Sequence, residues 1–101
     1  MAEAHYAQVA PHLYCGPIEG AANIQLAASI PNFLILESIG TWGGFHAELL
    51  RTPIRWQDGY VLVPDAPGLG EELDEEVARA HPYTGTALHL VPREAALDVR
   101  E

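Results

Sequence analysis

Residues 10–38 read APHLYCGPIEGAANIQLAASIPNFLILES, and this stretch decides the fold class. Residues 6–10 suit a short strand that Pro11 breaks just before His12. Residues 16–30 place Ile18, Ala21, Ala22, Leu26 and Ser29 near one side, the spacing of a helix packed on a sheet. Pro17 fits a first helical position, where a missing N–H costs nothing, and Pro31-Asn32 ends the helix. Residues 33–36 form a continuous apolar run, as in strands buried on both faces of a parallel sheet. Strand, helix and parallel strand make a right-handed βαβ unit, and the predicted class is α/β.

His12 and Glu37 then close successive strands. Parallel neighbours lie about 5 Å apart, so the two end residues can face one substrate. A histidine acts as a general base near neutral pH, and a partly buried glutamate can stay protonated and donate to developing negative charge. That pairing suits proton abstraction beside a carboxylate. A histidine after a proline also reads as a loop or capping residue, and a glutamate at a strand end as a solvated one. Spacing leaves both readings open.

The rest of the chain narrows the function by exclusion. Its 101 residues fit one domain, with 49% hydrophobic residues and a mean hydropathy of +0.02. Net charge is −9, and all 5 basic residues are arginines. Without lysine there is no Schiff-base amine and no P-loop phosphate anchor. The acidic balance argues against nucleic acid and anionic membranes as partners. Cys15 is the single cysteine and has no intramolecular partner, the first residues lack a signal-peptide pattern, and no apolar run reaches about 18 residues. A cytoplasmic protein is the expectation.

Several weaker candidates carry little. Cys15 and His12, three apart, lack a third orienting group. His46 with Glu48, and His81 with His89, lack zinc-site spacing. The acids Glu71, Glu72, Asp74, Glu75 and Glu76 lack calcium-loop spacing and read as a solvated helix face. Trp42 and Phe45 read as packing residues, although a loop tryptophan near the site can also touch substrate.

Residues 1–5 suit the last turn of a helix, and residues 42–50 a short helix after Gly43-Gly44. Asp58-Gly59, flanked by Ile54, Trp56, Tyr60 and Leu62, predicts a β-hairpin. The run EELDEEVARA predicts a short helix with acids first and Arg79 near its end. A last strand is expected at residues 87–91.

Residues 10–38 resemble the seventh strand, seventh helix and eighth strand of the enolase superfamily barrel. The resemblance is to the mandelate racemase/muconate lactonizing enzyme-like branch, nearest its galactonate dehydratase-like acid-sugar dehydratases. The PH-x-x-x-GP start, the small-residue helix, PNFLILE and the later DGYVLVPDAPGLGEELDEE carry it. It implies the last strands and helices of a (β/α)-barrel, incomplete here, over residues 1–51. Residues 52–101 would be a C-terminal extension, with hairpin and short helix, that packs on a capping domain.

The resemblance also implies roles. His12 would be the acid/base at the carbon alpha to the substrate carboxylate. Glu37 would bind that carboxylate or the enediolate formed from it. Mg²⁺ would assist in the complete enzyme, but its ligands belong to strands outside this chain, so no metal ligand is expected here. The expected substrate is a small sugar acid, and the reaction a dehydration, with racemisation or epimerisation on the same barrel as the alternative. The other alternative is a truncated, non-catalytic chain that binds a barrel partner or associates with itself as a homo-oligomer.

Overall fold

A computed structural model describes residues 1–38 and 41–85 of the chain. The strand expected at residues 87–91 lies outside the described residues. The chain opens with a 3-10 turn, Ala2–His5, closed by Tyr6 at φ 57°. It then runs extended into β1 (His12–Leu13), turns into α1 (Pro17–Ser29), and returns as β2 (Glu37–Ser38) parallel to β1. This is the βαβ unit, an α/β arrangement with a two-stranded sheet rather than a closed barrel.

The first strand does not stop at Pro11. Val9 bridges Phe33 in parallel, and pairing resumes at His12 and Leu13. A proline removes one donor from a ladder but keeps its carbonyl, and Pro11 O accepts from the Glu37 N–H at 3.1 Å. The expectation of a strand over residues 6–10 ending there is therefore corrected.

Helix α1 begins as the sequence predicts, with Gly16 as cap and Pro17 in the first turn, and ends at Ile30. Its buried face differs from the expected one. Pro17, Gly20, Ala21 and Ile24 are buried, a spacing of i, i+3, i+4 and i+7, whereas Ile18, Ala22, Leu26 and Ser29 are exposed. At Gly20 the buried face needs a glycine because an aromatic ring takes the space. A Cβ on Gly20 would overlap the indole of Trp42.

Residues 33–36 also depart from expectation. Leu34 and Ile35 are 57% and 61% exposed instead of covered on both faces. The cause is the width of the sheet, since Val9, on the segment leading into β1, supplies the one bridge to this run among the described residues. The buried apolar residues are Leu13, Ala21, Ile24 and Leu50. At about 1.5–3 kcal/mol for a large apolar side chain, that core is small for the chain's length.

Beyond β2, α2 (Phe45–Glu48) follows Gly44. An antiparallel bridge between Leu50 and Leu73 joins the segment after α2 to the one before α3. Bonds from Arg51 N to Glu72 O and from Asp74 N to Leu49 O flank it. The hairpin is β3 (Trp56–Gln57) and β4 (Tyr60–Val61), with Asp58 at φ 51° and Gly59 at φ 82°. Two left-handed turn residues match the strand twist, which is why Asp-Gly signals it. Helix α3 (Glu75–Ala80) starts at Asp74, whose side chain accepts from the N–H groups of Glu76 and Val77. Among the described residues no helix is long and apolar enough to cross a membrane.

Candidate functional site

The parallel register sets His12 directly opposite Glu37, and Leu13 opposite Ser38. The His12 Nδ1 atom lies 2.8 Å from Glu37 Oε2. An ionised carboxylate can only accept, so Nδ1–H donates and the lone pair of the neutral imidazole resides on Nε2. Both side chains are open to solvent, at 66% and 60% exposed. Glu37 is thus not the partly buried glutamate considered from sequence. Tyr14, two residues along on the same face, stacks beside His12 with ring centroids 6.3 Å apart.

The sheet has a second, different face. Leu13 is buried and turned away from His12, as alternation along a strand requires. A cleft of about 270 Å³ lies on its side, lined by Leu13, Cys15, Ser38, Thr41, Trp42 and His46 among others. His12 and Glu37 do not line it. Within it, Trp42 Nε1–H donates to Cys15 O at 2.8 Å and so joins the loop after β2 to the turn after β1. Trp42 is a packing residue here, as one of its two sequence readings has it. Burial, then a hydrogen bond and charge from Glu19, pushes the Cys15 thiol above its ordinary value. A thiol kept protonated is a poor nucleophile.

Several of the remaining candidates have structural partners, and His89 lies outside the described residues. His81 stacks on Phe45 at 4.4 Å, and its Nδ1–H donates to Val77 O at the end of α3. Asp74 caps α3, Glu75 pairs with Arg79 at 2.6 Å, and Glu72 pairs with Arg51 at 3.3 Å. Glu71 departs from the solvated helix face expected of it. It precedes α3, its Oε2 is buried without a partner, and burial raises its carboxyl above the ordinary value. Nothing in the local spacing signals this burial. Among the described residues no group of three histidine, cysteine or acidic side chains could hold a metal ion. The His12–Glu37 pair alone does not make up a metal-binding set.

Residues 1–77 match the family described as Enolase C-terminal domain-like. The chain is 36% identical over 88 residues to a D-xylonate dehydratase of Haloferax volcanii, a match covering 87% of this chain and 21% of that protein. It is 33% identical over 95 residues to a D-galactonate dehydratase family member of Streptomyces bingchenggensis, covering 92% of this chain and 23% of that protein. A solved structure of mandelate racemase/muconate lactonizing enzyme from Sulfitobacter sp superposes with a TM-score of 0.77 at 59% identity, over 89% of this chain and 22% of that one. The chain therefore spans under a quarter of the length of these relatives. It belongs to the Enolase C-terminal domain-like family of the enolase superfamily, and its relatives include acid-sugar dehydratases and mandelate racemase/muconate lactonizing enzyme-like proteins.

Proposed function

We propose that this chain supplies the acid/base pair of a sugar-acid dehydratase, with His12 as the base and Glu37 as its partner and as a substrate-binding group. The observation that carries the reading is the 2.8 Å contact between His12 Nδ1 and Glu37 Oε2 at the ends of two parallel strands. The carboxylate fixes the imidazole in one tautomer and stabilises the imidazolium that forms when Nε2 takes a proton. The C–H bond alpha to the substrate carboxylate breaks and its electron pair passes into an enediolate. The β C–O bond then breaks, His12 returns its proton to the departing hydroxyl, and water leaves. The resulting enol tautomerises to a 2-keto-3-deoxy acid. General-base assistance of this kind contributes about 10²–10⁴-fold.

Superfamily members generally use Mg²⁺, which as a Lewis acid stabilises charge on a substrate carboxylate. The described residues do not assemble its ligands. Cytoplasmic placement, and the division at residue 51 into a strand-bearing part and an extension toward a capping domain, belong to the same proposal.

The test is incubation of the complete protein with Mg²⁺ and a panel of aldonates. A 2-keto-3-deoxy product is expected. Inversion of the alpha carbon without loss of water would favour a racemase, and no reaction with any member would reject the reading.

A second reading concerns the 101 residues alone. Leu34 and Ile35 are exposed beside a strand that has one paired neighbour among the described residues, and such an edge invites association. The isolated chain is then non-catalytic and self-associating. Light scattering of the purified chain should show oligomers, and a monodisperse active monomer would contradict it.

A further inference from the structure

We infer that Pro11 is a positioning residue: it holds a one-residue bulge in the facing strand, and that bulge turns Glu37 onto the His12 side. The ladder shows the bulge. Val9 N–H donates to Asn32 O and Val9 O accepts from Leu34 N–H, both at 2.9 Å, which sets Val9 opposite Phe33. Farther on, His12 faces Glu37. Three steps along the first strand thus match four along the second, and the extra residue falls within Ile35–Leu36.

In an unbulged ladder the residue at 11 would donate to Leu34 O and accept from the N–H of residue 36. Pro11 has no N–H to donate, and its carbonyl accepts from Glu37 instead. A bulge placed opposite a proline sacrifices no available donor on that strand, which is why strand prolines collect at bulges.

The consequence for the pair follows from the two-residue period. With a constant register Leu36 would face His12, and Glu37 would face Leu13, which is buried on the helix side of the sheet. A one-residue slip moves a side chain to the other face. The bulge therefore separates a surface carboxylate bonded to His12 from a carboxylate pressed against α1, where burial without a partner is costly.

The inference rests on the proposed roles of His12 and Glu37, but its structural readout does not. In the complete protein, the double variant Leu36→Glu/Glu37→Leu moves the carboxylate to the position that only an unbulged strand would set opposite His12. With Pro11 in place, nitrogen NMR of the imidazole should show the Nδ1–H to carboxylate bond lost, and alpha-proton exchange should fall by at least about 100-fold. Adding Pro11→Ala restores the N–H, lets the ladder run regular, and should recover both. Retention of the bond in the double variant overturns the inference, as does failure of Pro11→Ala to recover it, whether or not that variant folds. Deletion of Ile35 gives an independent check. With Pro11 in place the bulge re-forms, Ser38 faces His12 and the bond should be lost. In the Pro11→Ala background the ladder runs regular with Glu37 opposite His12, and the bond should survive. Survival of the bond in the deletion that keeps Pro11, or its absence in the deletion combined with Pro11→Ala, overturns the assignment. Because the NMR signal needs no turnover, an inactive but correctly paired protein would reject the proposed reaction and leave the register intact.

Discussion

The indole of Trp42 occupies the space that a Cβ on Gly20 would take. This contact lets a loop that follows β2 lie directly on α1, and it explains why the helix carries a glycine at a buried position.

Gly20→Ala should therefore destabilise, although alanine is the better helix former. Overpacking a tight site costs about 1–3 kcal/mol, against a propensity gain of about 1 kcal/mol. Chemical denaturation of the complete protein checks this. A stabilised variant would mean that the ring yields freely.

Trp42→Phe keeps most of the ring but removes the N–H that reaches Cys15 O at 2.8 Å. A loss of about 1 kcal/mol is expected, from a half-buried carbonyl left without its donor. Amide exchange at the turn after β1 should speed up in the same variant, while unchanged exchange would show that the bond does not hold the loops together.

Glu71 gives a pH-dependent test. Burial raises its carboxyl above 4.5, so the folded state resists ionisation more than the unfolded state does. The penalty is full at neutral pH, shrinks as pH falls through the raised value, and is gone below 4.5, where both states are protonated. Glu71→Gln should accordingly raise the Tm at neutral pH, and the difference should close on acidification. A Tm difference independent of pH would rule out this origin.

Asp74→Ala removes the side chain that accepts from Glu76 N–H and Val77 N–H at the start of α3. The expected cost is about 1 kcal/mol. It should be confined to this helix and its junction with residues 49–51, as local amide exchange would report.

The elements that sequence predicts well are those set by local chemistry. Pro17 and Pro31 bound α1, and Asp58-Gly59 forces the hairpin, because backbone restrictions act whatever surrounds them. Periodicity misplaces the buried face of α1, since the choice between Ile18 and Ile24 is made by Trp42 and the sheet, far away in sequence. Strand-end logic brings His12 and Glu37 together, but their direct bond depends on a bulge that only the pairing of both strands defines. The burial of the Glu71 oxygen is likewise absent from the local spacing, in which the acids of residues 71–76 look alike.

Solvent exchange of the substrate alpha proton measures the proposed chemistry most directly. The complete protein in D₂O should incorporate deuterium at the alpha carbon of an aldonate substrate. His12→Asn should lower that rate by about 10²–10⁴-fold while the protein stays folded. Exchange at the wild-type rate in the folded His12→Asn protein would contradict the assignment of His12 as the base.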